Sequence, residues 1–571
     1  MKAGSIHSLV LLVVGVVGAA AASGRGPPAV LVQGASGDSL TFNRDIAPML
    51  FARCATCHHP NGSAPFDLLS YRDVQLRLPL IVGAIERRSM PPWVPEPGFV
   101  KFAGERRLTD DEIDLFRRWV ADGAREGNPA DLPPTPEFGD VWQLGEPDLV
   151  VSLPAYTVPP EGFDRYRNLV APIPLSETRY VSTVELRWGD TRVVHHSRMM
   201  IDPTPSSRMF DARDPEPGFD GMEIVTAADN PPGHFVGWAP GGVQLRGSDE
   251  IAWPLNPGTD LVLQLHLRPT GVPELVEPKV GFYFARQPPT KATALIMLGS
   301  FEIDIPPGDS NYLVTDTYRL PVDVEALGVY PHAHYLGKLV WGRAMLPDGT
   351  TKWLIRIDEW NFNSQEEYRY RTPIFLPAGT TLSMRWLYDN STDNPSNPND
   401  PPRRVVYGSL SSDEMSDLVL QVLPRNKEDL DILNRDLAWK YETRDVLYVA
   451  RRERTTGDEL AAMGSFEEAI EHYQQALRLK TDDIDVLVGM AGALASLGRG
   501  AAAVTVAERA AQLSGYGDPV VLDELAGAYA AAGELDRAVA TAQRAMELAT
   551  AAGSNDLANT IREHLLKYRA R

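Results

Sequence analysis

Near the C-terminus three glycines, Gly464, Gly498 and Gly533, stand 34 and 35 residues apart, and Ala469, Ala503 and Ala538 keep the same interval, as do Ala476, Ala510 and Ala545. Small residues at fixed offsets in an alanine-rich stretch let helices cross closely, and a period of about 34 residues accommodates one helix–turn–helix unit. One such unit cannot bury its own apolar face. Residues 455–571 are therefore expected to stack into a helical solenoid. The extra residue in the second interval falls in Gly515–Pro519 (GYGDP), a loop by composition.

This period resembles the tetratricopeptide repeat, with two clear copies, a partial third and Leu557–Lys567 as a cap. The resemblance implies a concave surface that binds another protein. At roughly 100 to 200 residues per domain, 571 residues make three to five domains. Hydrophobic residues at 43% and charged residues at 23% exclude a wholly disordered, collagenous or polytopic membrane chain. With 76 acidic against 55 basic side chains, the net charge of -21 argues against a nucleic-acid partner.

The N-terminus reads as an export signal. Lys2 precedes the apolar run Leu9–Val17 and a small-residue stretch to Ser23, too short for a comfortable membrane span. Cleavage of residues 1–23 leaves a periplasmic or secreted chain with no transmembrane segment. Proline- and glycine-rich joints at 24–40 and 128–136, and a polar, charged stretch at 425–458, divide the rest. The block 41–127 reads helical, with a Thr109/Glu112 capping box opening a helix whose Ile113, Phe116, Trp119 and Val120 share a face before Gly123. Residues 140–424 carry short β-branched runs between turns. They predict two antiparallel sandwiches, 140–288 and 289–424.

Only 2 cysteines occur, so no disulfide framework braces the chain. Both lie in Cys54-Ala-Thr-Cys57-His58, the c-type haem attachment pattern, in which two thiols add to the haem vinyl groups and the adjacent imidazole binds iron. A thioredoxin-like pair or half a zinc site fits less well, since no βαβ pattern surrounds the motif and there is no second cysteine pair. Met90 in Arg88–Trp93 resembles the distal methionine loop of small class I cytochromes c; His59 competes for that position. Helices in 41–127 then form a cytochrome c-like domain.

Of 11 histidines, His195, His196, His234, His266, His332 and His334 fall in the sandwich region. In His332-Ala-His334 the alternation of a strand puts both rings on one side. The neighbours His195 and His196 need a bulge or a strand end to act together, with His266 on the strand-like LVLQLHLRP as a third imidazole. Imidazoles with a nearby thioether suit copper.

Four segments, VVHHSRMMID, LVLQLHLRPTG, YPHAHYLGKLVWG and YGSLSSDEMSDL, resemble in order the copper type II, ascorbate-dependent monooxygenases, the group of peptidylglycine α-hydroxylating and dopamine β-monooxygenases. The resemblance spans most of 140–424 and implies two jelly-roll domains facing a shared cleft, with two coppers per chain. It assigns His195, His196 and His266 to a copper that relays electrons. His332, His334 and Met415 go to the copper where O2 reacts and the substrate C–H bond breaks; His234 matches no ligand. Tyr330 stands where the amidating enzymes have an Arg, and Asp417 and Val419 where they have Asn and Tyr, so their substrate carboxylate clamp is missing and peptide amidation is not expected. The expected function is an exported copper monooxygenase, its electrons coming from an ascorbate-like donor or the fused haem c. The alternative is a non-catalytic haem and copper electron-transfer or scaffold protein. Substrate, donor and repeat partner are not specified by the sequence.

Overall fold

Thr109 accepts the backbone N–H of Glu112 (3.1 Å) while the Glu112 carboxylate accepts the N–H of Thr109 (2.7 Å), so the expected capping box opens the helix Asp110–Ala121. Ile113, Phe116 and Trp119 turn inward, and Gly123, at φ +91°, supplies the left-handed turn beyond the helix end. They meet Phe42, Ile46 and Leu50 from the turn Phe42–Ile46 and the helix Ala47–Arg53, and Ile81 and Ile85 from Leu78–Glu86. These elements belong to a computed structural model that describes residues 39–571, apart from 61, 138–141, 162–164, 190–191, 222–226, 241, 243–245, 409, 442–445, 553 and 571. The expected signal, 1–23, lies outside the described residues.

Part of the first block leaves its own helices. The N–H of Ala103 donates to the Arg369 carbonyl (2.8 Å), that of Arg371 to Lys101 (3.0 Å) and that of Glu96 to Arg356 (2.7 Å). Trp93 and Phe102 accordingly pack in the core of the strands near 370. This stretch is tied to a region 260 to 270 residues further along the sequence, and the tie carries into the site below.

The middle region is rich in antiparallel sheet. One sheet runs in the order Leu149–Ser152, Lys279–Phe284, Arg179–Arg187, Trp253–Leu255; another in the order Phe219–Asp220, Arg165–Pro172, Asp260–Leu267, Val194–Asp202, Gly237–Trp238. Inward residues of both, among them Val181, Val280 and Phe282 facing Leu169, Leu263 and Leu265, share one core. Two further sheets form a second core. Their orders are Ala294–Leu298, Asp417–Pro424, Val324–His332, Tyr368–Leu376, and Tyr312–Arg319, Thr381–Tyr388, Gly337–Met345, Thr351–Ile357. Ile296, Leu418 and Leu420 there meet Val340, Leu382 and Trp386.

The stretch 425–458, expected as a separating linker, is largely helical. Lys427–Trp439 buries Leu433 and Leu437 in the second core, and Val446–Ala462 already belongs to the tail. Polar composition hid an amphipathic face that a neighbouring sheet covers. The tail comprises three helical pairs, Val446–Ala462 with Phe466–Leu479, Ile484–Ser496 with Gly500–Leu513, and Pro519–Ala531 with Leu535–Ala551, closed by Asn555–Ala570. That is one pair more complete than the expected two copies and a partial third. Gly464, Gly498 and Gly533 sit at φ +82°, +71° and +81°, each joining the two helices of a pair, and the six periodic alanines are wholly buried where helices cross. Among the described residues no helix is long and apolar enough to cross a membrane.

Candidate metal centres

The strands Val194–Asp202 and Asp260–Leu267 are neighbours, and His196 stands directly opposite His266. Alternation alone would turn His195 to the other face. The ladder slips between Val194 and His196, and this bulge brings His195 round to its neighbours. The three Nδ1 atoms converge: His195 to His196 3.0 Å, His195 to His266 3.1 Å and His196 to His266 3.4 Å. Two nitrogens held by one ion at about 2.0 to 2.1 Å with tetrahedral angles lie about 3.3 to 3.4 Å apart, so the trio fits a single metal ion. His195 Nε2 lies 3.1 Å from Asn363 Oδ1; as an amide oxygen only accepts, the ring proton sits on Nε2 and the Nδ1 lone pair is left for a metal. Tyr166 stacks on His266 at 4.3 Å and Phe362 on His195 at 5.2 Å. Burial, with His266 and His195 alongside, holds His196 well below the usual imidazole range, in its neutral ligating form.

Across the cleft the strand Val324–His332 stops at His332, so His334 is placed by the turn beyond it and not by strand alternation. The buried Glu414 carboxylate does the placing. It accepts the N–H groups of His334 (2.8 Å), Leu336 (2.6 Å) and Met415 (3.3 Å), joining the two motifs that carry the candidate ligands. Burial outweighs these donors and pushes Glu414 up to about 8. His334 donates from Nδ1 to the Asp413 carbonyl (3.0 Å), and its Nε2 is buried without a hydrogen-bond partner among the described residues. His332 donates from Nδ1 to Gln365 Oε1. Both rings thus spend one nitrogen on the protein and keep the other as a lone pair, the arrangement of a ligating imidazole. Their centroids are 5.3 Å apart, and burial pushes His332 down to about 4 and His334 to about 3. Met415 is 8% exposed and lines the same cleft as His332 and His196.

The cleft has a volume of about 860 Å³ between the two cores. His234, on its rim, is held through Nδ1 by the Pro232 carbonyl (2.8 Å). The segment 360–367 touches both histidine groups. Trp360 Nε1 donates to the His334 carbonyl (3.1 Å), Asn363 meets His195 and Arg268 (3.1 Å each), and Gln365 meets His332. Glu366 then forms a buried ion pair with Arg106, Oε2 lying 2.9 Å from Nη1.

That pair leads back to the cysteines. Cys57 and His58 follow the helix Ala47–Arg53 in one further turn, both N–H groups reaching the Cys54 carbonyl (3.1 and 3.0 Å). Burial pushes the Cys54 thiol up to about 12 and raises Cys57, whose charged neighbours include Arg106 and Glu366. His58 donates from Nδ1 to the Phe66 carbonyl (2.9 Å), which leaves Nε2 for a metal, and a Cβ on Gly62 would stand 2.3 Å from the Cys57 carbonyl. Leu76, Leu80 and Met90 are exposed by 69, 56 and 46%. His59 is likewise tied through Nδ1 to the Pro60 carbonyl (2.9 Å).

Residues 457–498 match the family model of the TPR repeat. The tail carries TPR repeats. No curated protein matches the chain. Among solved structures it is similar to PcrH in complex with the chaperone binding region of PopD, at 22% identity over 21% of this chain and 91% of that one, with a TM-score of 0.20. The Yersinia enterocolitica type III secretion translocator chaperone SycD matches at 18% identity over 21% and 92%, TM-score 0.20. The first TPR domain of human RPAP3 matches at 20% over 22% and 97%, TM-score 0.19.

Proposed function

We propose that the chain is an exported copper monooxygenase that hydroxylates a C–H bond with O2 and two electrons, releasing one oxygen atom as water. The observation that carries this reading is the meeting of two donor sets at one cleft: His196, one of three converging imidazoles, lines one wall, and His332 and Met415 line the other, with the orphaned buried Nε2 of His334 next to His332. An electron-transfer scaffold needs no cavity of about 860 Å³ between its metal sites; an enzyme acting on an organic molecule does.

In this reading His195, His196 and His266 hold one copper and His332, His334 and Met415 the other, the sandwiches being the two jelly rolls of the family resemblance. Copper supplies one-electron transfer and O2 reduction when bound. The chain's own groups set the ligands before metal arrives. Asn363, Gln365 and the Asp413 carbonyl fix three ring tautomers, and Glu414 fixes the backbone of His334 and Met415. Cys54, Cys57, His58 and Met90 would hold haem c, which would supply electrons in place of, or beside, an ascorbate-like reductant, and the Arg106–Glu366 pair fastens that region to the segment bearing Gln365. The TPR tail docks a protein partner.

The test combines metal analysis with reaction. Two coppers per chain, and incorporation of labelled oxygen into an organic acceptor after anaerobic reduction and O2 exposure with periplasmic extracts, are expected. Met415→Ile should retain the fold and abolish the incorporation. One copper or none, or incorporation unchanged in Met415→Ile, overturns the proposal.

A further inference from the structure

Two residues beyond His196, on the same face of the same strand, Arg198 points into the cleft that His332 and Met415 line from the other side. Its Nε donates to Asn230 Oδ1 (3.2 Å). Among the described residues its two terminal NH2 groups have no hydrogen-bond partner, and no carboxylate lies within ion-pair distance; Asp229 and Asp417 act on it only through space. Arginine stays charged at any physiological pH, and a half-buried cation with no direct counter-charge is stabilised when an anion pairs with it.

We infer that Arg198 is the anion-binding residue of the cleft and that the molecule taken there is a monocarboxylate with an apolar body. Two parallel NH2 groups on one planar guanidinium match the two oxygens of a carboxylate. Asp229 and Asp417 near the same spot disfavour a dianion such as phosphate. The apolar body has its own surface: Phe235 from one wall and Tyr330 from the other stack at 4.3 Å and 24°, and Leu295, Met297 and Val419 line the cleft beyond them. The sequence placed Tyr330 where the amidating enzymes carry their arginine, which removes a carboxylate clamp from that wall. Here the guanidinium comes from the opposite wall. The role of this molecule as substrate rests on the monooxygenase reading; its binding does not.

The experiment is calorimetric titration of the full chain, with and without added copper, using straight-chain carboxylates from butanoate to octanoate, phenylacetate, 4-phenylbutanoate and the matching primary amides. At least one carboxylate should bind roughly tenfold to a hundredfold more tightly than its amide, the span of a charge-assisted hydrogen-bonded pair. Arg198→Gln should erase that preference without changing amide binding. Arg198→Lys keeps the charge but not the fork, so it should retain only part of the preference, and it carries the test if the glutamine variant does not fold. No carboxylate preferred over its amide, or an undiminished preference in either variant, overturns the inference. Because the titration is read without copper as well, an absence of copper sites would sink the enzyme reading while leaving this result standing, and the reverse holds equally.

Discussion

The two histidine groups face one another but are built in opposite ways. His195 and His196 are half-buried and depend on a bulge for their convergence with the buried His266, and Asn363 meets His195 at 3.1 Å. His332, His334 and Met415 are buried, and their rings and backbone are held by Gln365, the Asp413 carbonyl and Glu414. The first arrangement leaves room for its ligand set to adjust, whereas the second fixes its donors in advance.

The comparison breaks most visibly if the two groups do not bind metal separately. His266→Ala and His334→Ala should each lower copper from two per chain to one, measured by elemental analysis, and each should abolish oxygen incorporation. Loss of both coppers in either variant would show one shared centre. A smaller effect is expected at the buried pair. Arg106→Met leaves Glu366 uncompensated and should cost about 3 to 5 kcal/mol in denaturant unfolding, whereas Arg106→Met with Glu366→Leu should recover most of it. Smallest and most discriminating are the ties to the rings. Gln365→Leu should weaken copper at the His332/His334 group by roughly tenfold to a hundredfold and leave the trio untouched. Asn363→Ala should act on the trio alone and more weakly, because its partner is half-buried; competitive chelation with Cu(II) spectra reads both.

The sequence pattern reached far in some places and stopped in others, for identifiable reasons. Repeat spacing located the buried alanines and the three turn glycines, because a helical pair repeats its crossing point. The requirement for a bulge at His195–His196 followed from strand alternation, and the ladder slips there. The rings of His332 and His334 do lie together, but His334 stands beyond the strand end, its backbone held by Glu414, 80 residues away, and not by alternation. Glu414 was visible inside the SSDEM motif, but its role depends on a fold contact. Asn363 and Gln365 carry no local pattern, since their partners are 168 and 33 residues distant. Arg198 lay in view within VVHHSRMMID, yet an arginine is read as a solvated charge until a cavity is found in front of it.

The segment 360–367 also bridges the two sandwiches. Its Asn363 amide oxygen holds both His195 and Arg268 of the facing wall while Gln365 and Trp360 hold its own side. A motion that parted the two sandwiches would break the Asn363 contacts to His195 and Arg268 first, so the candidate ligands themselves report on any such movement.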